Sequence, residues 1–162
     1  MSNLLKDAQS LLKEQQFQKA ETLLQSILKD DAQNGSALFT LACKYDATGE
    51  EKMAVIYYNR ALEHSLSQEE HKKAFIQLGS TYRTLGDYQK AKDTLEKGKE
   101  AFPEEHVFDV FYAMVLHNIN QHEEAVQLLL KKVVQTSADK GILSYQKALE
   151  FYADHLNEIW EA

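Results

Sequence analysis

The stretch Phe75-Ile76-Gln77-Leu78-Gly79-Ser80-Thr81-Tyr82, followed by Leu85-Gly86-Asp87-Tyr88 and then by Ala91 and Leu95, decides how the rest of the chain is read. Its apolar residues fall at helical spacing on both sides of Gly86. A glycine at a helix end takes the left-handed conformation without a side-chain clash. The segment therefore reads as two helices joined by a tight turn, with one small residue, Gly79 or Ala91, on each.

Those small residues recur along the chain. Ala8, Ala42, Gly79 and Ala113 form one column and Ala20, Ala54, Ala91 and Ala125 a second, and both step by 34, 37 and 34 residues. Alanine is frequent, so one column could arise by chance. Two columns with the same irregular spacing and a constant offset of 12 residues mark a repeat. Leu11, Tyr45, Tyr82 and Leu116 make a third column, and Leu24, Tyr58, Leu95 and Leu129 follow the second by one helical turn. Small residues let two helices approach closely at a crossing, while the Leu and Tyr columns fill the space alongside.

Punctuation agrees with the repeat. Gly49 and Gly86 can end a helix, Asn120 does so in the fourth unit, and Gln16 is a weaker breaker in the first. Pro103 fits the first turn of a helix, where Glu104 and Glu105 favour the positive end. Ser67-Gln68-Glu69-Glu70 reads as a capping box, which places the three extra residues of the 37-residue step at the start of the third pair. They lengthen that helix by about 4.5 Å. The expected helices are 2-15, 18-29, 35-48, 51-65, 68-85, 88-101, 104-119, 122-136 and 140-160. In the last, Ile142, Tyr145, Leu149, Tyr152, Leu156 and Ile159 form one apolar stripe that should close the open end. Leu143, Phe151 and Trp160 lie beside or away from it, which points either to a wider core contact or to a self-association or partner surface through Phe151 and Trp160.

The opening stretch, together with Gly98 and Pro103, is similar to the signature of the tetratricopeptide repeat (TPR) almost position for position. Leu41-Ala42, Tyr45, Gly49, Ala54, Tyr58 and Ala61 resemble it too, with Leu66 where a closing proline is usual. Ile27 and Lys132 replace the small residue expected late in the second helix, and Asp109 stands where an aromatic is common. The resemblance covers residues 1-137, and the chain as a whole resembles short, free-standing bacterial proteins of this family. It implies an all-α fold, a right-handed α-α superhelix (TPR solenoid) of about four helix-turn-helix repeats, at about 1-34, 35-68, 69-105 and 106-139, within one domain over 1-162 whose capping helix spans 140-161.

The resemblance also implies a function in protein-protein interaction, with a peptide lying in a concave groove lined by the first helix of each pair. Counted from the first small column, the groove rows are Leu5, Phe39, Ile76 and Val110; Gln9, Cys43, Ser80 and Met114; and Leu12, Asp46, Arg83 and His117. Members that grip the terminal carboxylate of chaperones carry Lys and Asn in such rows. The apolar residues here imply instead an apolar or amphipathic peptide or helix. Arg83, with Lys73 nearby, either anchors one acidic group or is simply solvated. Beside an adaptor, two alternatives stand: a peptide-responsive regulatory sensor, and a structural homodimer assembled through the closing helix.

Other classes fit poorly. A net charge of -7 disfavours nucleic acid as a partner. No stretch is apolar enough for a membrane span or a signal-peptide core, and Cys43, standing alone, forms no internal disulfide, so a cytoplasmic protein is expected. His117 and His122 stand five apart across a helix end, poor spacing for a shared metal, and neither metal nor cofactor is expected. There is no phosphate-cradling glycine loop, no GxSxG and no histidine placed to activate Cys43, so no enzymatic activity is expected. Residues 100 to 130 hold Glu100, Glu104, Glu105, Asp109, Glu123 and Glu124 but no Lys or Arg, which reads as a solvated face or as a surface for a basic partner segment.

Overall fold

A computed structural model describes residues 2-160, and among them the regular elements are all helices: α1 (Ser2–Lys13), α2 (Phe17–Asp30), α3 (Gly35–Ala47), α4 (Glu51–Leu62), α5 (Gln68–Thr84), α6 (Tyr88–Ala101), α7 (Val107–Asn118), α8 (His122–Thr136), α9 (Lys140–Ser144) and α10 (Gln146–Ala153). The first eight pair into hairpins whose turns are built alike. Gln15, Gly49, Gly86 and Asn120 are left-handed, with φ of 59, 72, 79 and 63°. After each, the next N–H reaches back across the turn: Gln16 to the Leu11 carbonyl, Glu50 to Tyr45, Asp87 to Tyr82 and Gln121 to Leu116, at 2.8 to 2.9 Å. This bond satisfies a carbonyl that the helix end would leave bare, and its acceptors are the third sequence column. Opposite it, Ala20, Ala54, Ala91 and Ala125 donate to the carbonyls of Gln16, Glu50, Asp87 and Gln121, so the second column completes the first turn of each second helix. In the first hairpin it is Gln15, one residue before the expected breaker, that reverses the chain.

The small columns are interior. Ala8, Ala20, Ala42, Ala54 and Ala91 have no exposed surface, Ala113 and Ala125 retain 1% and 5%, and Gly79 is buried. The chain divides into two compact units, Met1–Thr94 and Leu95–Ala162. In the first, α3 is central: nine of its 13 residues are buried, and it packs against α1, α2, α4 and α5. Leu24, Leu38, Leu41, Tyr58 and Leu78 fill the interior around it. The capping box at Ser67 and Glu70 is formed, and α5 is 17 residues long against 13 for α3, so the extra residues do lengthen that helix. In the second unit α7 and α8 pack around Ala113, Leu116 and Ala125. Phe108 is fully buried there against Gly98, where a Cβ would collide with its ring.

Three expectations are corrected. The helix expected from 104 starts at Val107, because Glu105 N–H closes a turn on the Phe102 carbonyl at 3.0 Å and so takes up the residues after Pro103; bonds from Phe108 to Glu105 and from Asp109 to His106 then open α7. The helix expected over 140-160 is two short ones, and residues 154-160 are not helical. The break falls at Tyr145, whose N–H closes on Ile142 instead of continuing the ladder, while the Ser144 hydroxyl donates to the Gly141 carbonyl. The stripe drawn through that segment dissolves, leaving Tyr145, Tyr152 and Ile159 at 68%, 50% and 90% exposure. Leu129, of the fourth column, is exposed because α10 packs on the Gln127 and Lys131 side of α8.

A Cβ added at Gly49 meets nothing within 4 Å, so Gly49→Ala isolates the backbone term and is expected to lower stability by about 1 kcal/mol. Gln15→Gly should raise it by up to about 1 kcal/mol, since relief of left-handed strain exceeds the entropy glycine loses. Urea denaturation of both variants measures the two signs.

Candidate functional site

The first helices α1, α3 and α5 lie side by side, which brings residues one repeat apart into contact. The Ser36 hydroxyl donates to Glu70 Oε2 at 2.9 Å, the Cys43 thiol to Gln77 Oε1 at 3.3 Å, and the Thr81 hydroxyl to Asp46 Oδ1 at 3.0 Å. Glu70 also accepts from the Ser67 N–H at 3.1 Å, so the cap of α5 is tied to α3. Of the sequence-derived rows, Leu5 and Cys43 are half-buried against the core. Gln9, Leu12, Asp46, Ile76, Ser80 and Arg83 are half-buried, and Lys73 is exposed and paired with Glu69 at 3.2 Å. Phe39 is only 8% exposed, its ring tilted 6.0 Å from that of Tyr58; it packs the interior and contributes little surface.

Where α3, α4 and α5 meet lies a polar cluster, built on the fully buried Tyr58, that the sequence did not signal. The Tyr58 hydroxyl lies 2.8 Å from Asp46 Oδ2, 3.0 Å from Gln77 Oε1 and 3.7 Å from Cys43 Sγ. Its one proton goes to the carboxylate, the strongest acceptor. Burial raises the Asp46 carboxyl against the opposing bonds from Tyr58 and Thr81. Burial also pushes the Cys43 thiol up to about 11, so the sulfur is held as a neutral donor and is no nucleophile near neutral pH. A second group sits behind α3. Lys44, 6% exposed, is held by Glu21 at 2.8 Å and Glu50 at 3.0 Å, and Glu21 also accepts from the Tyr45 hydroxyl at 2.9 Å. Burial alone would lower the Lys44 ammonium, yet the two carboxylates raise it.

In the second unit, α7 carries Val110 43% exposed, Met114 half-buried and His117 exposed. Asp109, on the same helix, is buried and paired with Lys99 at 2.6 Å and Lys132 at 3.0 Å. Burial works to raise its carboxyl, and the two lysines outweigh it and hold it below the usual carboxylate range. Asp109 is thus no part of a solvated acidic face. His117 and His122 are also closer than their spacing implied, with 3.1 Å between their Nδ1 atoms. Near the C-terminus, Phe151 and Trp160 are 49% and 56% exposed with ring centroids 5.9 Å apart, and Phe151 stacks on His155 at 4.2 Å. Among the described residues no three of His, Cys, Asp and Glu converge as metal ligands, and no helix is long and apolar enough to cross a membrane.

Residues 35-156 match the tetratrico peptide repeat family. Among solved structures, the fold is similar to that of YrrB, described as a TPR protein with an unusual peptide-binding site, with a TM-score of 0.72 at 17% identity over 96% of this chain and 78% of that one. MamA from Desulfovibrio magneticus RS-1 superposes with a TM-score of 0.72 at 16% identity over 95% and 89%. A thermophilic TPR protein of Thermus thermophilus gives 0.63 at 18% identity over 95% and 82%.

Because the folded Asp109 carboxyl is depressed, its ion pairs stabilise the fold above the unfolded value, about pH 4, and that contribution is lost as pH falls through the folded one. Asp109→Asn is expected to flatten this acid limb in thermal melts recorded from pH 6 to 2, and a limb of unchanged slope would remove Asp109 from the acid response.

Proposed function

The chain belongs to the tetratricopeptide repeat family of protein-interaction modules, and on that premise we propose that it is an adaptor, not an enzyme, whose α1, α3 and α5 face holds an apolar or amphipathic peptide or helix. The observation that carries this reading is the side-by-side setting of those helices, on which Leu5, Leu12 and Ile76 are half-buried and Asp46 and Gln77 are bonded to Tyr58. Apolar side chains give a peptide anchors, and half-buried Asp46 and Gln77, steadied by the buried Tyr58, offer polar partners to its amides. Gln9, Cys43, Ser80 and Arg83 border the same face, with Lys73 at its rim. In the second unit α7 offers Val110, Met114 and His117 in equivalent rows. The peptide-binding site named for YrrB supports a peptide as ligand. The resemblance to short bacterial members supports a cytoplasmic protein.

A second reading, a homodimer joined through the C-terminal segment, is favoured by Phe151 and Trp160, which remain half exposed although their rings lie tilted against each other and Phe151 stacks on His155. Aromatic surface of this kind is common at protein interfaces.

Fluorescence anisotropy with peptides selected from an amphipathic library tests the first reading. Ile76→Lys is expected to weaken binding at least ~tenfold, about 1.4 kcal/mol, with an unchanged circular dichroism spectrum; equal affinity would take the face out of the account. For the second, sedimentation at micromolar concentration should show a dimer that Trp160→Ser splits, and a monomeric wild type rejects it.

A further inference from the structure

We propose that His117 and His122 form a two-histidine site for a borderline divalent transition metal, holding Cu2+ more tightly than Zn2+ or Ni2+. His117 is in the last turn of α7 and His122 is the first residue of α8. The left-handed turn at Asn120 folds one over the other and is itself fixed by bonds from Asn120 N–H to the His117 carbonyl at 3.1 Å and from Gln121 N–H to Leu116 at 2.8 Å. The two rings are tilted by 54° with centroids 4.6 Å apart. The pair is therefore placed by backbone geometry before any ligand arrives, which reduces the ordering a metal must impose.

The spacing suits chelation. With metal to nitrogen bonds of about 2.0–2.1 Å, an Nδ1 to Nδ1 distance of 3.1 Å subtends about 95–100° at the metal, between the right angle of a square-planar ion and the tetrahedral angle. In the free protein one Nδ1 donates its proton to the other. On binding, the donating ring carries its proton on Nε2 instead, both Nδ1 lone pairs bond to the metal, and no proton is lost while both rings are neutral. Imidazole nitrogen selects Cu, Zn and Ni over Mg and Ca, and the Irving–Williams order puts Cu2+ first. The surroundings favour a cation, since residues 100 to 130 lack Lys and Arg and Glu123 and Glu124 follow His122 directly. Both rings are exposed, so the ion keeps water, or a donor from a bound partner, in its other positions. The equivalent pairs in the other turns are Leu12 with Phe17, Asp46 with Glu51, and Arg83 with Tyr88; the fourth turn alone sets two imidazoles at this spacing.

The full chain is titrated with CuCl2 and then ZnCl2 by calorimetry near pH 7.5 in a non-coordinating buffer, with His117→Ala, His122→Ala, His122→Gln and the control His155→Ala. One equivalent of Cu2+ is expected on wild type and on His155→Ala, bound at least tenfold more weakly by each of the other variants. The Cu2+ paramagnetic spectrum should change from two coupled nitrogens to one. Circular dichroism confirms that the variants fold, and His122→Gln keeps the test open if an alanine variant does not. Affinity that survives at both positions, or that falls with His155, overturns the site.

Discussion

Close approach of helices at Ala and Gly positions is the constraint from which the rest of the chain follows. Ala8, Ala20, Ala42, Ala54 and Ala91 have no exposed surface at all, so a larger side chain at any of them would force helices apart and cost about 1–3 kcal/mol or more. Close packing in turn sets the lateral spacing of α1, α3 and α5, and it is that spacing which lets a thiol and an amide, or a serine and a glutamate, 34 residues apart, share a hydrogen bond. The α1, α3 and α5 face is a by-product of how tightly the hairpins stack.

Charge inside the fold is handled by local compensation. Lys44 sits between Glu21 and Glu50, and Asp109 between Lys99 and Lys132. In each case one buried ion meets two opposite charges, which is how an ionised group is kept inside without neutralising. The Lys44 group fastens α3 to α2 and to the start of the next turn, and the Asp109 group fastens α7 to α8 and to the end of α6. Both act on helix register, for which a misplaced charge is more punishing than a misplaced methyl group.

The sequence carries the repeat because steric demands on small residues and on left-handed turns recur at fixed spacing, and neither depends on distant partners. The columns Ala8 to Ala113 and Ala20 to Ala125, Gly49, Gly86 and Asn120, and the capping box at Ser67 were all legible for that reason. The site was legible only as rows. Which row residue faces outward depends on side chains arriving from neighbouring helices, and the ring of Tyr58 from α4 turns Phe39 into core and Asp46 into an acceptor. Asp109 and Lys132 each broke the family pattern when taken singly, yet they answer one another at 3.0 Å; two departures 23 residues apart reveal a pair only in three dimensions. The sequence places His117 and His122 on either side of a helix end, but their separation of 3.1 Å is set by how the turn at Asn120 folds and is not given by a spacing of five residues. The closing helix failed for a different reason: its periodicity was real, but nothing in a hydrophobic pattern records that Tyr145 ends one ladder and Gln146 begins another.

Burial of Lys44 has a chemical corollary. An amine must be unprotonated and reachable to be acylated, and this ammonium is clasped by two carboxylates under a nearby aromatic ring, 4.3 Å from the Tyr45 centroid. Amine-reactive labels that mark surface lysines such as Lys73 within minutes have access to Lys44 only when α2 and α3 part. Its labelling rate therefore clocks the breathing of the first unit, a native gauge of opening that needs no inserted probe.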